Sequence, residues 1–329
     1  MSELLIENLL LLLVLCLVAA AYLRMADKLN IIDKPNQRSS HTRITVRGGG
    51  VIFPVSLLLY SVIHGFPYLF FIAGLTLIAV ISFADDLKHQ SRKLRLAVHF
   101  AAVSLLLFQV NEMSLPYWLL PILFVLSIGV INAYNFMDGI NGITSGYAII
   151  MLLTLIFLHQ EVSFIDVQYL YALLTGALVF AYMNFRKKAL CFVGDVGSVS
   201  MAFSLIFPVM LLIFTTGNPL FILLFGVYGV DTVLTIVHRL MKRENIFEAH
   251  RQHLFQYLAN EAQWPHVAVS ALYMSIQLLL NAGIYFVWKN GDATTQCWFA
   301  ITSMLLLGAV HTLVKFSIIR RQKMLLKGQ

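Results

Sequence analysis

Eleven apolar runs, each long enough to cross a bilayer, leave this chain few ways to fold. A helix needs about 20 apolar residues to span the hydrocarbon core. Such runs fall at roughly 4–24, 47–64, 67–84, 96–110, 117–134, 144–160, 167–183, 199–216, 219–241, 266–288 and 297–319. Several are short, about 15–18 residues, which suits helices packed inside a bundle. The longest segments between runs hold about 23–27 residues, too few for a soluble domain. Any site must therefore be assembled from helix ends and short loops. With 59% of residues hydrophobic and 12% charged, a soluble globular domain and a disordered chain are both excluded. Cys16, Cys191 and Cys297 lie far apart with no CxxC pair, which excludes a disulfide scaffold and a structural zinc site. The sequence predicts an all-α polytopic integral membrane protein, residues 1–329 forming one transmembrane domain. It shows no hydropathy repeat of the kind that marks inverted-repeat transporters.

Charge sets an orientation. The only charged side chains at the start of the first run are Glu3 and Glu7, and Arg24 closes it. A signal peptide begins with a basic stretch, so the first run reads as an uncleaved helix with its N-terminus outside. Alternation then puts loops 24–47, 85–95, 184–198 and 239–265 and the tail from Lys315 on one side. These segments hold 22 of the 23 Lys and Arg residues, leaving only Lys289 opposite. Lys and Arg are retained on the cytoplasmic side, so the C-terminus is expected there. The net charge of +7 thus reflects topology, and no nucleic-acid-binding module surrounds the basic clusters.

Acids at helix ends or inside spans are costly in lipid and default to a functional reading. Glu3, Glu7, Glu112, Glu161, Asp166 and Asp292 fall in outer polar turns. Four cytoplasmic groups are distinctive. Asp85 and Asp86 end the third run, and adjacent carboxylates repel unless a cation or a base role compensates. Asp138 sits in a segment dense in Asn, Asp and Gly, suited to a tight turn around a ligand. Asp195 lies among small residues just before a helix N-terminus, where anions are favoured. Asp231 lies within the ninth run, where a structural hydrogen bond and a place in the site fit equally well. The Gly48-Gly49-Gly50 run serves close helix packing or substrate approach equally. Carboxylates facing basic residues across one membrane surface point to Mg2+ and a polyanion. The chemistry implied is phosphoryl transfer with a lipid as one reactant.

Five segments, in order and on one predicted face, carry a resemblance. They are Pro35-Asn36-Gln37-Arg38-Ser39-Ser40-His41 with Arg47-Gly48-Gly49-Gly50; Asp85-Asp86; Asn132 to Gly142; Gly194 to Ser198; and Ala249-His250-Arg251-Gln252-His253. Over about residues 24–258 the chain resembles the polyprenyl-phosphate N-acetylhexosamine-1-phosphate transferases, most of all the O-antigen and enterobacterial-common-antigen branch that uses UDP-GlcNAc. The resemblance implies Mg2+-dependent transfer of a sugar 1-phosphate, GlcNAc-1-phosphate first, from a UDP-N-acetylhexosamine to undecaprenyl phosphate. UMP is released, and synthesis of a lipid-linked surface polysaccharide begins.

It further implies a multi-pass protein of the bacterial inner membrane whose active site faces the cytoplasm on loops 25–47, 85–95, 135–143, 184–198 and 239–265. Mn2+ is an implied substitute for Mg2+, and a homodimer is an implied assembly. Asp85 and Asp86 match the catalytic aspartate pair, Asp86 also helping to place the metal, and Asp195 matches the principal Mg2+ ligand. Phe192 matches a uracil-stacking aromatic, Asn184 an Asn of the nucleotide pocket, Asn135 and Asp138 the nucleotide-side loop, and Lys93 a base near the phosphates. Arg38, His41 and Arg47 fall in the first motif. His250, Arg251 and His253 form the AHRxH pattern of the sugar-choosing loop, whereas the triple-His motif of the peptidoglycan enzyme is absent. Asn141 stands where a second Asp is common, His89-Gln90 where some members carry a third, and Val46 where a Pro is common. FucNAc, QuiNAc or GalNAc donors remain alternatives, as do, in other classes, a lipid-linked sugar transporter and an inactive scaffold of a glycan-assembly complex.

Overall fold

A computed structural model describes residues 3–327, apart from 36–39, 41, 42, 113, 114, 247 and 249. The chain is an all-α membrane protein. Its helices are α1 (Glu3–Lys28), α2 (Ile52–Ile63), α3 (Leu69–Leu87), α4 (Arg92–Asn111), α5 (Leu120–Met137), α6 (Ile143–Glu161), α7 (Val167–Asn184), α8 (Gly194–Thr216), α9 (Gly226–Met241), the single turn α10 (Leu254–Gln256), α11 (His266–Asn290) and α12 (Ala293–Lys327). Ten helical segments among the described residues are long and apolar enough to cross a membrane. The eleventh predicted run is the shorter apolar helix Gly49–Ile63.

Helix ends depart from the apolar windows for a physical reason: hydropathy registers the hydrocarbon core, and a helix continues into the interface. Thus α4 starts at Arg92, with the Ser91 hydroxyl accepting from the Leu94 N–H at 3.2 Å, an N-cap ahead of the first apolar residue. Likewise α8 starts at Gly194, five residues before its apolar run, which brings Asp195 into its first turn.

The central pillar is α8, buried nearly all round, while α1 and α12 lie outermost. Helices α2, α3, α4, α5 and α6 pack on α8. Against it, the Phe71 ring of α3 stacks on Phe203 and Phe207 at centroid separations of 5.4 and 4.6 Å. A two-residue antiparallel pairing joins β1 (Ile32–Asp33) to β2 (Thr45–Val46), matching Asp33 with Thr45.

The glycine run resolves into backbone packing. The N–H groups of Gly49 and Gly50 donate to the carbonyls of Phe192 and Val193, both at 2.9 Å. A Cβ on Gly197 would lie 2.6 Å from the Gly50 Cα, and one on Gly50 would lie 2.7 Å from the Val193 carbonyl oxygen. Backbone cannot swing aside as a side chain can. Gly197→Ala is therefore expected to destabilise the folded protein by about 2–3 kcal/mol, as overpacking does, read as a lower unfolding temperature in detergent. An unchanged temperature would show that this contact is not tight.

Candidate active site

The site grows from one backbone zipper. The Phe192 N–H donates to the Val46 carbonyl at 2.8 Å, binding the segment that carries Arg47 to the segment that leads into Asp195. Gly194 turns at φ +72°, and a Cβ there would fall 2.5 Å from Asp86 Oδ2. With no Cβ in the way, the Asp86 carboxylate receives the N–H groups of Asp195 (2.9 Å) and Val196 (3.0 Å). An anion is thereby seated on the N-terminus of α8, where the helix dipole favours it. The Asp86 side chain is 0% exposed and also takes Arg47 Nε at 2.7 Å. Two backbone donors and the Arg47 guanidinium thus hold this carboxylate in place.

Asp85 and Asp195 are the acids that face each other, their carboxyl groups within hydrogen-bonding range. Asp195 is 24% exposed, and Arg47 Nη2 lies 3.2 Å from its Oδ1. Arg95 lies 3.0 Å from Asp85 and 3.8 Å from Asp195. The Gln90 N–H donates to Asp85 at 2.5 Å, and Asn135 Nδ2 donates to Asp195 and to the Ser198 hydroxyl, both at 3.2 Å. Two apposed carboxylates and two arginines, of which Asp195 and Arg47 line a cleft, can hold a divalent cation together with phosphate oxygens. Among the described residues no three His, Cys, Asp or Glu side chains form a complete metal cage. Mg2+ in general keeps waters and binds through one or two carboxylates plus substrate phosphates, and Asp85 and Asp195 are two carboxylates of that kind.

From Asp195 a cleft of about 260 Å3 runs past Asn135, Asp138, Asn184 and Phe192 to Asp33 and His266. Burial lifts the Asp138 carboxyl to about 7, even though Thr144 donates to it. Asn184 is a brace between the cleft walls: its Oδ1 accepts from the Gly142 N–H at 2.6 Å and its Nδ2 donates to the Cys191 carbonyl at 2.8 Å. Asn141 explains its departure from the family pattern, because its Nδ2 donates to the Arg186 carbonyl at 2.9 Å, which a carboxylate could not do.

The remaining sequence candidates divide. Lys93 is exposed, and Arg95, two residues on, is the base that reaches the acids. His250, Arg251 and His253 lie on the loop before α10, His253 buried and the other two half-buried. The His250 and His253 rings stack at 5.0 Å, with Phe136 beside them at 6.3 and 6.2 Å. Burial lowers the His250 imidazole to about 4, so this ring is neutral at pH 7 and offers hydrogen bonds rather than charge. Arg38 and His41 lie outside the described residues.

Sequence reasoning missed Arg95, Asp33 and His266. For Arg95 a signal existed: at 3.6 residues per turn it lies about one turn of α4 beyond the cap at Ser91, on the side of the cap itself. Asp33 reaches the cleft through the β1–β2 pairing and His266 through the start of α11, neither visible in any motif.

Residues 68–214 match the family model described as Glycosyl transferase family 4. The chain is 24% identical over 274 residues to a probable undecaprenyl-phosphate N-acetylglucosaminyl 1-phosphate transferase of Bacillus subtilis, covering 76% of each chain. It is 27% identical over 279 residues to an undecaprenyl-phosphate alpha-N-acetylglucosaminyl 1-phosphate transferase of Thermotoga maritima, covering 80% of this chain and 86% of the relative. A shorter match, 28% over 193 residues, reaches a phospho-N-acetylmuramoyl-pentapeptide-transferase of a Synechococcus strain, covering 51% of this chain and 56% of the relative.

Proposed function

We propose that this chain, whose residues 68–214 match the glycosyl transferase family 4 model, transfers an N-acetylhexosamine 1-phosphate, GlcNAc-1-phosphate first, from a UDP-sugar to undecaprenyl phosphate. The observation that carries this reading is the apposed pair Asp85 and Asp195, flanked by Arg47 and Arg95, with Asp195 and Arg47 lining the cleft. Relatives named for undecaprenyl-phosphate GlcNAc-1-phosphate transfer supply the substrate class. Under this reading the chain lies in the bacterial inner membrane with the cleft facing the cytoplasm, and the product starts a lipid-linked surface polysaccharide.

Asp195 and Asp85 would hold Mg2+, which screens the diphosphate and makes UMP a better leaving group. Arg47 and Arg95 supply charge-assisted hydrogen bonds to phosphate oxygens. An oxygen of the lipid phosphate attacks the sugar-linked phosphorus, forming the new pyrophosphate bond. The bond from that phosphorus to the oxygen bridging the diphosphate breaks, and UMP leaves with the bridging oxygen. A lipid phosphate is already ionised at neutral pH, so the step needs no residue to remove a proton. The residues orient the two phosphates for in-line reaction, which lowers the barrier by proximity. Asp86 is a positioning residue in this account: it fixes the first turn of α8 and hence Asp195. The cleft from Asp138 to Phe192 takes the nucleotide, with the Phe192 side chain in its lining.

Membrane vesicles supplied with labelled UDP-GlcNAc from outside test both reaction and orientation. Inside-out vesicles should form labelled lipid and right-side-out vesicles should not. Equal labelling of both would contradict the cytoplasmic placement, and labelling of neither would contradict the transfer.

A further inference from the structure

Buried charge grips the loop 244–254 from two helices. Asp231 of α9 is 2% exposed. It accepts from the Tyr273 hydroxyl (2.6 Å), the Leu254 N–H (3.1 Å), His253 Nδ1 (3.1 Å) and His311 Nε2 (3.4 Å). Lys315, one turn beyond His311 on α12, donates to the Gln252 carbonyl at 2.5 Å, and its ammonium lies 5.4 Å from the Tyr257 ring centre. Arg239 of α9 donates to the carbonyls of Asn245 (2.6 Å) and Glu248 (3.2 Å). A buried charge is costly unless it is paired and hydrogen-bonded. Here most of the partners are the loop's own backbone and ring, so the burial is offset in this one loop conformation.

The placement of α12 makes the point sharper. Its described residues are exposed or half-buried, as befits an outer helix in lipid, yet His311 and Lys315 are buried, and among its described residues they alone are. Its apolar side chains Phe299, Met304, Leu307, Val314 and Ile318 pack half-buried against the core, and its two most deeply buried positions hold polar side chains turned onto the loop and its anchor. At the far side of the same cluster, His253 Nε2, His250 Nδ1 and His311 Nδ1 are buried with no hydrogen-bond partner among the described residues. The two loop imidazoles stand against Phe136, next in sequence to Asn135 of the cleft lining, and buried polar atoms are normally paired, so their nitrogens keep hydrogen-bonding capacity for a ligand.

We propose that α12 is a working part of donor recognition: His311 and Lys315 are positioning residues that fix Gln252 and His253, so that the two free imidazole nitrogens meet the polar groups of the sugar on the nucleotide donor. The proposal rests on the transferase reading and adds the origin of its sugar selectivity. Neither residue touches substrate.

The test uses the full chain in nanodiscs, with Lys315→Met to remove the charge and Lys315→Arg to restore it. Two readouts are taken: kinetics of UMP release, and deuterium uptake of peptides covering 244–258. Lys315→Met should raise the KM for the UDP-sugar about tenfold, with kcat and the KM for undecaprenyl phosphate within about twofold of wild type. Uptake should rise in 244–258 and nowhere else, and Lys315→Arg should recover most of the lost donor affinity. An unchanged donor KM, or kcat and both KM values shifting together, would overturn the proposal. So would unchanged uptake in the loop, whatever the kinetics. Should Lys315→Met fail to fold, His311→Gln takes its place in both measurements, and the same results support or overturn the proposal. A wild-type protein inactive with every donor would defeat the transferase reading instead, while the uptake experiment would still decide whether α12 anchors the loop.

Discussion

Asp195→Asn is expected to lower UMP release by about 10^3-fold or more while the protein stays folded and inserted. Asparagine keeps the size of the side chain and an acceptor oxygen, so the loss reports charge rather than shape. Removing one preorganised electrostatic group from a reacting centre costs about 10^2–10^3 in rate, and here the same change also weakens the hold on a divalent ion. Stability should not fall. Asp195 stands within hydrogen-bonding range of Asp85, and relieving repulsion between like charges favours the fold. Unfolding temperature in detergent and steady-state UMP release, measured on one preparation, check both halves. A rate near wild type would remove Asp195 from the chemistry.

Arg47→Met should do the opposite to stability and the same to activity. The guanidinium bridges Asp86 at 2.7 Å and Asp195 at 3.2 Å, and Asp86 is fully buried. Removing one partner of a buried pair costs about 3–5 kcal/mol. Because the Arg47 side chain is 33% exposed and Asp86 keeps two backbone donors, about 2–3 kcal/mol is the fitting expectation. The damage should extend to the zipper, because the Arg47 carbonyl accepts from the Tyr22 hydroxyl at 2.6 Å and the segment aligns Val46 with Phe192. An Arg47→Met protein with wild-type unfolding temperature would show that Asp86 is held by the α8 N-terminus alone. The contrast between Asp195 and Arg47 thus separates a group that works from a group that works and holds.

The architecture was legible because it follows from hydropathy alone. Every predicted run from 4–24 to 297–319 became a helical segment. The mismatch at 47–64, a helix too short to count as a full span, arises where the glycine run spends residues on the zipper before α2 begins. The structure brings Asp85, Asp86 and Asp195, singled out at membrane helix ends, into one cluster with Arg47 and Arg95. What the sequence withheld was the division of labour among them. Nothing in the letters of Asp85-Asp86 says that the second carboxylate turns inward to cap α8 and the first turns toward Asp195. That depends on Gly194 at positive φ and on how close α3 stands to α8. Asp231, poised between two readings, proves to be a structural node whose partners come from α9, the loop, α11 and α12. Partners so distant in sequence leave no local signature. The same holds for Lys315, which a charge count assigns to a solvated tail.

The most direct test of the central claim is UMP release by the purified protein given undecaprenyl phosphate, Mg2+ and a panel of UDP-N-acetylhexosamines. The transferase reading predicts release with UDP-GlcNAc, or with one other member of the panel, abolished by EDTA and restored by excess Mg2+. Folded protein that releases no UMP from any donor, or that releases it undiminished in EDTA, would contradict it.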